Sequence, residues 1–495
     1  MNVSKRLGRT ARFALLGLAT LLVTTSLGSA DPPRASGGKV SFYRDIRPIF
    51  QQHCQGCHQP AKPQGGYVMT QFAELWKAGN SGKQPILVGK PEESYLVQQI
   101  VPQGDKPAAM PKNKEPLAAY QIDKIKQWIA EGAVNDTPPS VHQDVYDEDH
   151  PPVYELPPVI TSIDFSPDGQ LLAVSGYHEV LLHKADGSEL VARLIGASER
   201  IQSVAFSPDG KTLAVTGGNP GRMGEIQLWD VAKKKLKLSV PMTFDTINGA
   251  SWSPDGKKLA FGCNDNTVRA IDAETGEQVL YQGAHNDWVL ETTFSLDGAY
   301  LVSVSRDRAM KLTEVATQRF IDNITSITPG ALKGGLATVA LRPLKERRIE
   351  KQKDVEVGGG EHLYNELLAA GADGTPRLYR MHRNVKRVIG DDANKLKEFE
   401  SMPGRIYSVA WHADAQLFVA GSSSDGRGEV RVYNADDGSK VVMKGQQGAV
   451  YSVRFVPGSN PVLVASAGFD GKVRINDART GELIKEFIPV PLSKK

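Results

Sequence analysis

Cys54, Cys57 and His58 fall in one five-residue run, Cys54-Gln55-Gly56-Cys57-His58. Two thiols three residues apart, followed directly by an imidazole, form the attachment pattern of c-type haem. At the start of a helix that spacing lets both thiols reach the vinyl positions of one porphyrin, and it aims the next side chain at the iron from the same face. Cys54 and Cys57 are therefore the expected thioether residues, and His58 the expected proximal iron ligand. One covalently attached haem c per chain follows. A Cys54–Cys57 disulfide and a thioredoxin-type redox pair are the competing readings, and the second needs a βαβ pattern that the flanking sequence lacks.

A sixth iron ligand has to come from elsewhere. Met110 lies in Pro107-Ala108-Ala109-Met110-Pro111, 52 residues after His58, far enough for the chain to pass round to the opposite face. Methionine at that position raises the reduction potential. Met69 is the competing thioether, but it follows Gly65-Gly66 only 11 residues after His58 and reads as a core residue. His53, next to Cys54, is held on the wrong side. Lys106, Lys112 and Lys114 flank Met110; they are either ordinary solvated charges or a ring that steers acidic partners.

The elements that position these residues are helical. Residues 40–135 carry two well-patterned helices, the second spanning Leu117 to Glu131 with Ile122, Ile125, Trp128 and Ile129 on one face. Ahead of them, Lys5, Arg6, Arg9 and Arg12 precede an apolar run from Phe13 to about Val23 and a small-residue stretch ending at Ala30. This is the pattern of a cleaved secretory signal over residues 1–30. A membrane anchor is the alternative, but the run is shorter than the ~20 apolar residues a bilayer requires. The expected mature chain is soluble, spans no membrane, and lies in the periplasm or otherwise outside the cytoplasm. After residues 31–135, the stretch 136–158 has six acidic residues, six prolines and no Lys or Arg, and reads as an extended linker.

Residues 159–495 repeat. Ser166-Pro167-Asp168-Gly169, Ser207-Pro208-Asp209-Gly210, Ser253-Pro254-Asp255-Gly256 and Ser295-Leu296-Asp297-Gly298 follow Phe165, Phe206, Trp252 and Phe294, and weaker copies place Leu341, Trp411 and Phe455 at the same point. A period in the forties with four short strands per unit predicts β-propeller blades, and seven fit. The long interval after Leu341 holds an insertion, residues 343–360, read as a solvated loop or lengthened hairpin rather than a docking element. Cys263 reads as a small buried residue. His178, His183, His285, His362, His382 and His412 show no ligand spacing and read as surface or turn residues. The whole chain, 495 residues with 59 basic and 56 acidic side chains, is too balanced for a nucleic-acid binder. Its three cysteines are too few for a disulfide framework.

Residues 40–135 resemble the c-type cytochrome domain of planctomycete exported proteins, through Phe42-Tyr43-Arg44-Asp45-Ile46-Arg47-Pro48-Ile49-Phe50, the haem motif, Met110-Pro111, Glu115-Pro116-Leu117 and Trp128-Ile129. The repeats resemble WD-repeat propellers, with one true Trp-Asp pair, Trp229-Asp230, and Gly371 to Tyr379 resembles the corresponding family blade. The resemblance implies a small all-α, class I-like cytochrome c domain followed by an all-β, seven-bladed WD-type propeller. It also implies haem binding and one-electron transfer, with the propeller as a docking or scaffold platform for a redox protein partner. The alternative is a redox enzyme whose propeller channel holds a second catalytic cofactor on a histidine, with haem c as electron port. A third reading makes the haem a sensor or staple.

Overall fold

The structure, a computed structural model, describes residues 39–493 apart from 56, 60–61, 70–71, 103, 105, 113, 138–145, 284, 327–331, 353–359, 387 and 389. The expected signal segment lies outside the described residues. No helix among those described is long and apolar enough to cross a membrane.

The N-terminal region starts with a π-helical turn, Phe42–Ile46, whose entry is fixed by the Ser41 hydroxyl accepting from the Arg44 amide at 3.0 Å. It runs directly into α1 (Arg47–His53), where Pro48 sits in the first turn and costs no hydrogen bond. Cys54 (φ −120°, ψ −46°) leaves helical geometry as its amide donates to the Phe50 carbonyl at 2.9 Å. The attachment motif thus follows the end of a helix instead of opening one. Gly56 is a poor helix former, and Pro60 pushes the residue before it toward extended backbone, so helix cannot continue through the motif. His58–Gln59 and Lys62–Pro63 pair as a two-residue antiparallel ladder, so the region is not purely helical.

Two further helices follow, α2 (Tyr95–Ile100) and α3 (Ala119–Ala130). Ala118 is extended (φ −63°, ψ 148°), which starts α3 two residues later than the periodicity suggests. The expected face is the buried one: Ile125, Trp128 and Ile129 are inaccessible, with Ile122 packed beside them. Trp128 is the centre of the core, its ring 5.4 Å from Phe42 and 6.3 Å from both Phe50 and Phe72. Ring packing of this kind stabilises beyond area burial alone.

From residue 163 onward every regular element among the described residues is a strand, and the strands pair antiparallel. Among the described residues five sheets hold four strands each and another holds seven, because the long strand Leu190–Phe206 pairs with Tyr177–Lys184 through its first half and with Thr212–Asn219 through its second. The Ser-Pro-Asp-Gly runs are turns between the first and second strands. Ser207 Oγ donates to Asp209 at 2.7 Å and accepts from the Thr212 amide at 3.0 Å, while Gly210 takes φ 72°, which only glycine adopts without strain. Leu296 stands where the other turns have proline, and its free amide donates to Asn365 Oδ1 at 3.0 Å, in the neighbouring sheet's entry.

Within the sheets a carboxylate four residues before a third-strand arginine forms a buried or half-buried pair: Asp265–Arg269 at 2.5 Å, Asp373–Arg377 at 2.8 Å and Asp470–Arg474 at 2.6 Å. Around Trp229, the indole N–H donates to Gln227, whose amide reaches Glu225. Cores lie between neighbouring sheets; one packs Ile163, Phe165 and Leu172 of the first sheet against Ala465, Val473 and Ile475 of the last.

The innermost strands are tied by a recurring bond. Three residues before each strand-ending aromatic, or its equivalent, stand Ser162, Ser203, Gly249, Glu291, Thr338, Ser408 and Ser452. Their side-chain oxygens accept from the next inner strand: Ser162 from Val204 N at 3.1 Å, Ser203 from Ala250 N at 3.4 Å, Glu291 from Val339 N at 2.8 Å, Thr338 from Val409 N at 3.2 Å and Ser408 from Val453 N at 3.3 Å. Ser452 accepts from Ile163 N at 3.1 Å, joining the last sheet to the first. Gly249 offers no oxygen, and there Ser251 Oγ meets Thr292 Oγ1 at 2.9 Å.

Two expectations need correction and a third is narrowed. The stretch 136–158 is not extended spacer at its ends: Asp136 accepts from the Tyr43 amide, while Tyr154 is buried, its hydroxyl 2.7 Å from Glu179, and bridges to Leu492. A tyrosine amid the prolines supplies the apolar ring and the polar tip that anchor it. The inserted segment is a hairpin, Ile349–Gln352 against Gly360–Leu363, as one of its two readings had it. Five of the six histidines expected at surfaces or turns are buried, His178, His183, His285, His362 and His382, with only His412 half-buried. Imidazoles can join side-chain networks, and His285 bonds Asp307 at 3.0 Å and Ser303 at 2.8 Å.

Candidate functional site

The end of α1, the loop after it, α2 and the Met110 loop enclose one cavity, with an empty volume near 1270 Å³ that includes its open mouth. Cys54, Cys57, His58 and Met110 all line it. Leu96, Ile100 and Leu117 make its apolar wall. The Met110 loop is held by its amide donating to Gln99 O of α2 at 2.9 Å. On the other side, Gln64 N donates to Cys57 O at 3.0 Å, and Met69 N to His58 O at 2.8 Å.

The competing residues also reach this space. Met69 lines the cavity but is 3% exposed and packed in the core, with its carbonyl accepting from Gln55 Nε2. His53 lines it too, its Nε2 already 3.2 Å from Gln121 Nε2. Both cysteines are free thiols. Burial, with Cys57 beside it, pushes the Cys54 thiol up to about 12, so it stays protonated at neutral pH.

The residues present fit a haem. His58 Nδ1 is buried and has no hydrogen-bond partner among the described residues, an arrangement that costs free energy in an apolar site. No group of three or more His, Cys, Asp or Glu that could hold a bare metal ion occurs among the described residues. A porphyrin asks only for two axial donors, because it supplies the other four nitrogens itself.

Sequence reasoning missed Tyr67 and Lys83. Tyr67 lines the cavity with its ring 5.8 Å from His58 and its hydroxyl fixed on Leu75 O at 2.9 Å; burial and then Cys54 push its phenol up. Lys83 lines the mouth, resting on the Tyr95 ring at 4.9 Å. Lys112 and Lys114 line it as well, all exposed, while Lys106 is exposed but outside the lining. The Gly65-Gly66 pair was a readable signal for this wall: Gly65 O accepts from Asn80 N at 2.7 Å, and a Cβ on Gly79 would lie 2.3 Å from that carbonyl.

In the repeat region, the inner strands line a second cavity with an empty volume near 950 Å³. It carries Glu291 and Arg454, the latter 3.2 Å from Asp164. Burial raises both carboxyls, against the pull of Arg454. None of the six histidines lines this cavity. Cys263 is fully buried, and burial holds its thiol at about 12.

Comparison with known proteins divides the chain in the same way. Residues 54–114 match the planctomycete cytochrome C family model. The WD domain, G-beta repeat model matches residues 151–181, 188–230, 394–433 and 439–477, and an anaphase-promoting complex subunit 4 WD40 domain model matches 236–295. A eukaryotic translation initiation factor 3 subunit I from Aspergillus oryzae is 26% identical over 225 residues, 44% of this chain and 60% of that protein. The same-named protein of Scheffersomyces stipitis is 27% identical over 298 residues, 56% of this chain and 79% of its own length. A WD repeat-containing protein 26 homolog of Arabidopsis thaliana is 24% identical over 230 residues, covering 45% of this chain and 32% of that protein. The chain therefore joins a planctomycete cytochrome C region to a series of WD40 repeats.

Proposed function

We propose that this protein is an exported haem c protein that transfers single electrons, and that its WD repeats form a seven-bladed propeller serving as a protein-docking platform. The observation that carries the reading is the convergence of Cys54, Cys57, His58 and Met110 on one apolar-walled cavity inside the segment that matches the cytochrome model. In this reading Cys54 and Cys57 would hold the group through thioether bonds, and His58 and Met110 would supply its iron ligands. Haem bound there supplies a one-electron iron couple. Leu96, Ile100 and Leu117 would keep water from the group, and Tyr67, anchored on Leu75, braces the His58 ring. Saturation by His and Met favours electron transfer over ligand sensing. Lys83, Lys112 and Lys114 make a positive mouth that favours an acidic redox partner.

The propeller reading is supported by the Ser, Glu and Thr bonds that run from each inner strand to the next and return from Ser452 to Ile163, with only the Gly249 link replaced. The enzyme alternative finds no support in the central cavity, where Arg454 is bonded to Asp164 and Ser408 and Glu291 accepts from Val339.

The reading is tested by producing the full chain with a haem-c maturation system and weighing it. One haem mass per chain is expected, absent from Cys54→Ser/Cys57→Ser. A chain without covalent haem, or with a second chromophore, contradicts the proposal.

A further inference from the structure

The rings of His362 and His382 pack against each other, centroids 3.9 Å apart and planes tilted by 31°. His362 belongs to the hairpin inserted between Leu341 and Glu366; His382 follows the strand Arg377–Arg380; and the Tyr300 ring of the preceding sheet stands edge-on to His382 at 4.5 Å. The pair therefore fastens the hairpin onto two different sheets. Both histidines are more than nine-tenths buried, and Nε2 of each has no hydrogen-bond partner among the described residues. Neutral imidazole rings tolerate this arrangement. A proton on either ring would put a buried cation against a second imidazole with no acceptor for the new N–H.

The carboxylates facing the pair, Glu350 and Asp297, favour a charged ring, but burial outweighs them. Glu350, opposite His362 across the hairpin, is paired with Arg380 and Arg348 at 3.3 Å each. Asp297, in the turn before Tyr300, already accepts from Ser295 Oγ and the Ala299 amide. Arg383, just past His382, is paired with Asp391 and Asp322 and adds positive charge. Glu361 beside His362 is exposed.

We propose that the His362–His382 pair is an acid-sensitive clasp, which seats the inserted hairpin on Tyr300 at neutral pH and frees it when a ring is protonated. Burial, then the adjacent His362, hold His382 down at about 3, and burial also holds His362 below its ordinary value of 6.5. Both directions favour release as pH falls below 6.5. A ring that titrates at 6.5 when free and near 3 when paired shifts the opening equilibrium about 30-fold by pH 5.

Hydrogen exchange of the full chain, normalised to the intrinsic rate at each pH, reads this directly. Peptides covering Ile349–Gln352 and Gly360–Leu363 are expected to lose at least 10-fold in protection between pH 7.5 and 5, while the strand Leu417–Ser424 does not. His362→Phe/His382→Phe, which keeps two rings that cannot charge, is expected to hold the hairpin protected at pH 5; if it does not fold, His382→Phe, which leaves only His362 to titrate, is expected to lose less protection than the wild type. Constant wild-type hairpin protection over this range would overturn the clasp, as would an equal loss in the phenylalanine variants.

Discussion

Met110 and Met69 put a sharp question to the site, since both thioethers line one cavity. Met69 is 3% exposed and its backbone is bonded on both sides, by His58 and by Gln55, so it behaves as part of the wall. Met110 is less buried and sits on a loop tied to α2 by one amide. Met110→Ala is expected to abolish the thioether-to-iron absorption of the ferric protein and lower its reduction potential, whereas Met69→Leu keeps both. Loss of the band in the Met69 variant alone would reverse the assignment. Lys112→Glu/Lys114→Glu is expected to slow reduction by an anionic reagent and to weaken its salt dependence, measured by stopped flow over an ionic-strength series. That Cys54, Cys57 and His58 share one site was readable in the sequence because they stand in one five-residue run. Tyr67 and Lys83 were not readable, because they reach the cavity only after Gly65, Gly66 and Gly79 let two loops meet backbone to backbone.

Helix α3 is the element that carries the core of the N-terminal region, through Trp128. Trp128→Ala removes the ring that touches Phe42, Phe50 and Phe72 and is expected to cost about 3–5 kcal/mol in denaturant unfolding of that region. In the sheets the informative element is the innermost strand. Restoring the repeat's hydroxyl on paper, as Gly249→Ser, is expected to destabilise by roughly 1–3 kcal/mol, because a Cβ there would lie 2.7 Å from the Leu290 carbonyl. A stabilised variant in thermal melts would show that the strand moves to accept it. The apolar stripe of α3 and the Ser-Pro-Asp-Gly turns were legible because period and turn chemistry are local properties. The motif's place after α1, in contrast, depends on where helix stops, and Gly56 with Pro60 settles that more firmly than the thiol spacing does. Tyr154 was lost among prolines, since nothing local announces that Glu179 and Arg193 wait for its hydroxyl and ring.

Across the whole molecule, stability is expected to decline with acid for two reasons of the same sign. His382, at about 3 against an ordinary 6.5, favours the folded state above pH 6.5 and withdraws that contribution as pH falls toward 3. Asp307 is raised by burial, yet the bonds from His285, Asn286 and Ala309 outweigh this and hold it at about 2, so its contribution stands above pH 3.8 and fades below it. The midpoint of chemical denaturation is therefore expected to drop between pH 7 and 5; a flat profile would mean that the buried histidines titrate normally. The joining of the first sheet to the last rests on Asp164–Arg454 and Ser452–Ile163, residues some 290 positions apart, which no local pattern could pair. In the proposed function the chain would carry one low-spin haem c held by His58 and Met110 and pass single electrons. Spectroelectrochemical titration of the full matured chain tests it most directly. One reversible transition is expected, following about 59 mV per tenfold change in the oxidised-to-reduced ratio, with the thioether band vanishing on reduction. No haem transition, or two independent ones, would contradict it.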